Sequence, residues 1–337
     1  MFSIDAFDPN DAPREDLADY HRAYVSAARI DHPHDPEVTL DEAVGRLRTP
    51  LPYFGPCRYW AARADGRLVG MIIVGFPADN ETRHLVVVDG TVDPAHRRRG
   101  IGTALLREVL PAVREAGRGT VFVALTEGST GDHFLRATGF TRVYREHLQR
   151  LDLTTADPSV WDVAAPEGYR IVEFDGPAPE ELVASYARAN GSIGDMPQQD
   201  RAHERPLWTV ERVRATEADL ARQGIERHAV VAVHEATGEV AGLTGILIYP
   251  HRPSRGIQDA TTVVPAHRGH GLGFCVKSAM LRWIRAERPR VEWAMCSNAD
   301  DNAHMLDINR RLGYTVMRVI ISVEQDLADL EKRLRPS

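Results

Sequence analysis

Lysine is almost missing from this chain: among 41 basic residues, only Lys277 and Lys332 are lysines. So strong a bias toward arginine is what a GC-rich genome produces, and it lowers the functional weight of any single arginine. It also excludes a P-loop, which needs Gly-Lys-Ser/Thr after its spacer, because Lys277-Ser278 has no glycine before it. Cysteine is scarce too. Three residues, Cys57, Cys275 and Cys296, are too few and too scattered for a disulfide framework or a zinc site, so a reducing, cytoplasmic setting is expected. No run approaches the roughly 18 apolar residues of a membrane span, and Met1-Phe2-Ser3-Ile4-Asp5 lacks the basic-then-apolar order of an export signal. Neither a membrane nor export is expected. The net charge of −7 speaks against nucleic acid as a partner and suits a cationic one. The histidines show no metal-ligand spacing, and no metal is expected.

What the chain does contain is one stretch that occurs twice. Thr91-Val92-Asp93-Pro94-Ala95-His96-Arg97-Arg98-Arg99-Gly100-Ile101-Gly102-Thr103 is matched by Thr262-Val263-Val264-Pro265-Ala266-His267-Arg268-Gly269-His270-Gly271-Leu272-Gly273-Phe274. Both pass from an apolar strand into Arg-x-x-Gly-x-Gly and open a helix, and their arginines lie 171 positions apart in a chain of 337. Glycines at a helix start let a ligand approach the backbone closely, so that the unpaired N–H groups of the first turn converge on an anion. The helix dipole and neighbouring arginines add positive potential, which suits a pyrophosphate. A dinucleotide fingerprint does not fit, because Gly100-Ile101-Gly102 and Gly271-Leu272-Gly273 lack the third glycine.

The chain length suits two domains, each with its own core. Strands are predicted at 2–7, 85–92, 120–125, 169–174 and 258–264, with hairpins at 59–76 and 229–248. Helices are predicted at 13–28, 40–48, 180–190, 210–223 and after each motif. Residues 141–153 read as a closing strand pair, and 326–334 as an extra terminal helix. Residues 154–168, with Pro158 and Pro166, form the expected linker between an amino-terminal domain, 1–153, and a carboxy-terminal one, 169–337. The second half alone holds a long Gly- and Pro-broken loop at 191–208, carrying Asp195, Asp200, His203, Glu204 and Trp208.

Strand, Val-x-Pro, Arg-x-x-Gly-x-Gly, helix, strand, and a short helix closing on Gly139-Phe140 or Gly313-Tyr314 resembles the acyl-CoA-binding core of the GNAT superfamily of N-acyltransferases. The resemblance covers both halves, as in tandem GNAT proteins, some of them from antibiotic gene clusters. It implies an α/β chain with two mixed, mostly antiparallel sheets, and acetyl-CoA or another acyl-CoA as donor to a small-molecule amine. The implied donor-binding residues are Thr91, Val92, Arg97, Arg98, Arg99, Gly100, Ile101, Gly102 and Thr103 in the first half. In the second they are Val263, Val264, Arg268, Gly269, His270, Gly271, Leu272, Gly273, Phe274 and Asn302, the last also readable as a helix cap. Thr91, Val92, Val263 and Val264 would offer backbone groups to the thioester carbonyl.

Amide formation needs a base for the charged amine and a route for protonating the departing thiolate. Asp259, nine residues before Arg268, is the expected base, placed by strand alternation on the face of Thr261 and Val263. Val88 is its expected counterpart, with Asp89 on the opposite face. Where many GNAT enzymes have an acidic tyrosine, four residues before the closing glycine, this chain has Leu135 and Asn309. Solvent or another side chain would then serve, and Ser297 and Asn298 are the candidates after the fifth strand. The expectation is a monomeric or homodimeric N-acetyltransferase with a donor-binding, non-catalytic first domain and a catalytic second one. The alternative is a non-catalytic acyl-CoA-binding or regulatory protein.

Overall fold

The computed structural model describes residues 1–195, 199 and 207–335. In chain order the strands are β1 (Phe2–Phe7), β2 (Cys57–Ala64), β3 (Arg67–Gly75), β4 (Leu85–Val92), β5 (Thr120–Thr126), β6 (Thr141–Asp152), β7 (Tyr169–Asp175), β8 (Glu226–His234), β9 (Val240–Ile248), β10 (Arg255–Val263), β11 (Trp293–Ala299) and β12 (Thr315–Asp326). The helices are α1 (Arg14–Asp31), α2 (Leu40–Arg48), α3 (Ile101–Glu115), α4 (Thr130–Ala137), α5 (Glu180–Gly191), α6 (Val210–Arg222), α7 (Leu272–Glu287), α8 (Ala303–Leu312) and α9 (Leu327–Arg333).

The chain divides into two compact units. The first holds residues 1–145, 199 and 319–335, the second 146–195 and 207–318. In the first unit β1 to β4 pair antiparallel in order, β4 pairs parallel with β5, and residues 320–326 of β12 pair antiparallel with β5. Alternation along β4 sends Val86 and Val88 into a core with α3 and α9, and Leu85 and Val87 into a core with α1 and α2. The second unit repeats the plan. Strands β7 to β10 pair antiparallel in order, β10 pairs parallel with β11, and residues 146–152 of β6 pair antiparallel with β11. Helix α7 covers one face with Ile246 and Ile248, and α5 the other with Val231, Val233 and Leu243.

The units are therefore not contiguous in sequence. Residues 141–152 form one unbroken strand rather than a strand pair, and Leu151 and Leu153 belong to the core of the second unit. The last strand and helix of the chain supply Ile321, Val323, Leu327, Leu330 and Leu334 to the core of the first. Residues 154–168, expected as a linker, are mostly exposed but anchored in the second unit: Trp161 is fully buried and donates its Nε1–H to the Leu312 carbonyl at 3.1 Å. No helix among the described residues is long and apolar enough to cross a membrane.

The exchanged elements make a direct prediction. Leu330 is completely buried in the first unit, so Leu330→Ala should cost about 2–5 kcal/mol. Hydrogen exchange should then show β1 to β5 losing protection while β8 to β10 keep theirs.

Candidate active site

In both units the parallel ladder is short. It runs from Leu85↔Thr120 to Val87↔Phe122 in the first and from Arg255↔Trp293 to Ile257↔Met295 in the second. Beyond those pairs, β4 and β10 continue without a partner on that side, leaving a gap edged by unpaired backbone. The Asp93 N–H donates to Val69 O at 2.8 Å and the Val264 N–H to Ala241 O at 2.9 Å. Antiparallel alternation then turns the N–H groups of Val92 and Val263 toward the gaps, whereas Thr91 and Val264 face β3 and β9. Of the four backbone positions expected at a thioester, two turn their N–H groups to a gap.

Each repeated motif closes its gap at one end. Gly100 and Gly271 cap α3 and α7 in the left-handed conformation, at φ 81° and 75°. The residue two before each glycine is left-handed too: Arg98 at φ 63° and Gly269 at φ 83°. Such a winding turns successive N–H groups inward as an anion nest. The first intrahelical bonds start at Ala104 and Cys275, so Ile101, Gly102, Thr103, Leu272, Gly273 and Phe274 offer N–H groups with no helical acceptor. An added Cβ at Gly100, Gly269 or Gly271 would meet no atom within 4 Å, so the outer side of each nest is open to a ligand. These features fit a pyrophosphate. Arg97 and Arg268 fit it less directly, because each donates Nε–H to the last carbonyl of its strand, Val92 O and Val263 O, both at 3.1 Å. Arg97 also pairs with Asp31 at 3.4 Å, and Arg99 reaches the Ala95 carbonyl at 3.1 Å.

Histidines cluster at the second nest, where the first has His96 alone in its motif. His267 bonds the Tyr169 hydroxyl at 2.9 Å, and its ring lies 4.9 Å from that of His234. His270 caps the carbonyls of His267 and Arg268. Burial, then the proximity of His234 and His270, holds the His267 pKa below the ordinary histidine range.

Asp259 lies where β10 departs from regularity. The register with β9 shifts between Gln258 and Thr261, so residues 259–260 form a bulge opposite Gly245. The shift overturns the expected side-chain alternation. Gln258 and Thr261 both bond Thr244 and share the α7 face with Val263, whereas Asp259 and Ala260 turn to the α5 face. The bulge also changes the counterpart in the first unit. Counting from the pairs Gly70↔Val92 and Gly242↔Val263, the bulge occupies the ladder position of Asp89, and Asp89 shares the α1 and α2 face with Val87. Asp89 is not opposed to Asp259 but equivalent to it.

The two aspartates differ in their surroundings. Asp89 lies 3.8 Å from Arg46. Asp259 makes no hydrogen bond or ion pair among the described residues and reaches solvent, although protein crowds it from the other directions. That crowding pushes its carboxyl above the usual range, against the pull of Arg227. Arg227 is itself held by the Tyr186 hydroxyl and by Gly176 O at 3.0 Å. The turn Ser192–Asp195, which begins the acidic loop, packs against β10. Asp200, His203 and Glu204 lie outside the described residues.

Ser297 and Asn298 lie within β11 and face opposite ways. Ser297 is exposed, whereas Asn298 is buried with its amide toward Gln149 Oε1 at 3.3 Å. Asn302 caps α8, accepting the Met305 N–H at 3.2 Å. Asn309, four residues before the closing glycine, donates to Gln149 Oε1 at 2.8 Å and to Cys296 Sγ at 3.4 Å. Gln258 accepts from the Lys277 ammonium. In the sequence this buried set shows itself only as a rare lysine within the apolar stripe of α7.

The nests predict that Gly102→Val and Gly273→Val each abolish one of two acetyl-CoA sites in calorimetry without unfolding, since the nearest atoms to an added Cβ are 3.6 Å and 3.4 Å away. They also predict a pH effect larger at the second site, where His234, His267 and His270 cluster. Because His267 is depressed in the fold, its contribution to stability is present above about pH 6.5 and lost as pH falls. A bound anion favours the protonated ring, so affinity at the second nest should rise as pH falls through about 6.5 and below, and by more than at the first, whose motif holds His96 alone.

Residues 18–140 match the acetyltransferase (GNAT) family. A mycothiol acetyltransferase of Saccharomonospora viridis is 29% identical over 327 residues, 92% of this chain and 95% of that protein. A streptothricin acetyltransferase of Streptomyces lavendulae is 36% identical over 81 residues, 24% of this chain and 42% of that protein. Among solved structures, a tandem GNAT protein from the clavulanic acid biosynthesis pathway superposes with a TM-score of 0.79 at 26% identity, covering 100% of both chains. Two short parallel ladders, two helix-start nests and these likenesses agree: residues 18–140 belong to the acetyltransferase (GNAT) family, and the chain has the fold of a tandem GNAT N-acetyltransferase.

Proposed function

We propose that the protein transfers an acetyl group from acetyl-CoA to a primary amine of a small molecule, and that the second unit performs the transfer. The observation that carries this reading is Asp259: a solvent-reached, crowded carboxylate with no bonding partner among the described residues, on the bulge beside the gap. A carboxyl raised by its surroundings is a better base near neutral pH than an ordinary one. It would take the amine proton, directly or through one water, while the Val263 N–H polarises the thioester carbonyl. In the first unit Arg46 lies beside the equivalent Asp89, which favours a binding role there. The small-molecule acceptor is supported by the names of the relatives, a mycothiol and a streptothricin acetyltransferase. A cytoplasmic monomer or homodimer, with all three cysteines free, completes the reading.

The second reading, acyl-CoA binding without turnover, is favoured by Leu135 and Asn309 at the tyrosine positions. Thiol release with a panel of amines separates the two. If the proposal holds, Asp259→Asn lowers turnover by about 10²-fold, less at high pH as free amine becomes abundant, with acetyl-CoA affinity unchanged. Full activity of Asp259→Asn together with loss of turnover in Gly102→Val would move catalysis to the first unit.

A further inference from the structure

Lys277 is 2% exposed, in the middle of α7, in a chain that uses arginine almost everywhere else. Its ammonium donates to Gln258 and lies 5.2 Å from the centre of the Tyr314 ring. Among the described residues no carboxylate pairs with it. The titratable groups facing it are the Cys296 thiol on β11 and the Tyr314 phenol, while Asp259 points to the other face of β10. Burial lowers the pKa of the amine, with Cys296 opposing. A buried, unpaired cation is costly, and arginine could not relieve that cost by losing its proton.

The fold itself does not ask for this arrangement. Matching the two units by motif and ladder position pairs Lys277 with Leu106, Gln258 with Val88, Cys296 with Val123, Asn298 with Leu125, Asn309 with Leu135 and Gln149 with Val323. In the first unit all six belong to, or pack against, one apolar core. The same scaffold is thus filled by hydrocarbon in one unit and by a polar cluster in the other. The position of the cluster is informative too: Gln258 and Cys296 are the first residues beyond the last paired residues, Ile257 and Met295, so the cluster lines the point where β10 and β11 part.

We propose that Lys277 receives the leaving thiolate in the second unit, the role left open by Asn309. The inference rests on the reading of that unit as an acyltransferase. As the amine nitrogen bonds to the thioester carbon, the C–S bond breaks and its electron pair goes to sulfur. The Lys277 ammonium turns from Gln258 to the sulfur, holds its charge and gives it a proton. The charged amine loses two protons in all: Asp259 takes the first before attack and passes it to water, the second leaves through the same carboxylate as the amide forms, and water restores the one on Lys277. A lysine with a depressed pKa is closer to a thiol in acidity, which favours that transfer.

The test uses Lys277→Leu, which copies Leu106, and Lys277→Met, which keeps the side-chain length and guards against a packing defect. Both should retain the fold, bind acetyl-CoA within about twofold of wild type, and lose about 10²-fold in turnover, with the high-pH limb of the rate profile altered. A readout independent of turnover is proton release on binding free CoA in the Gly102→Val background, measured by calorimetry in buffers of different ionisation enthalpy. Near pH 8 the parent should release a substantial fraction of a proton with CoA and none with S-methyl-CoA, and the Lys277 variants should release none with either. Equal release by parent and variants, or wild-type turnover and pH profile in both variants, overturns the proposal. Lysine-dependent release without turnover on any amine would support the thiolate pairing and sink the acyltransferase reading instead.

Discussion

A parallel pair of strands that stays bonded for only a few residues is the constraint on which both units depend. Once β4 leaves β5, and β10 leaves β11, backbone N–H and C=O groups face a gap inside a sheet. Groups of that kind are costly unless water or a ligand satisfies them. The other features follow from the need to keep such a gap open and occupied. A helix start with unpaired N–H groups closes one end, an arginine braces the last carbonyl of the strand, and a closing strand stabilises the far side of β5 or β11.

The closing strands are exchanged between the two halves of the sequence. Residues 146–152 complete the sheet of the second unit, and 320–326 that of the first, so neither half of the sequence contains all of its own core. Within that common plan the fillings diverged. The first unit keeps an apolar core up to the edge of its gap and an arginine beside its aspartate. The second carries a polar cluster at the gap and an aspartate without a partner among the described residues. That difference in filling is what the proposed division of labour, one unit for binding and one for chemistry, rests on.

Much of the scaffold was legible in the sequence because it is written in local patterns. Helical spacing and a Thr39 cap fix α2 at the expected residues, and a continuous apolar run does the same for β4. The two motifs, with glycines where left-handed backbone is required, mark the nests. What escaped is non-local. The partner of β6 is β11, more than 140 residues away, and nothing within 141–152 identifies it. The bulge at Asp259 inserts one residue into a ladder without changing composition, yet it reverses which face the carboxylate takes and which residue is its counterpart. Residues 154–168 carry every local mark of a linker, and a buried tryptophan helps to anchor them. Lys277, Gln258, Asn309 and Gln149 are far apart in sequence, and polar residues scattered among apolar ones look like surface until the fold brings them together.

The claim that the second unit holds the reacting end of the donor is tested most directly by a crystal structure of the chain with CoA. The account predicts a pyrophosphate on the N–H groups of Leu272, Gly273 and Phe274, with the sulfur inside the gap beyond Ile257 and Met295, on the side from which Lys277 and the Val263 N–H approach. CoA bound only at the nest of Gly100, or with its sulfur directed away from the gap in the second unit, would contradict it.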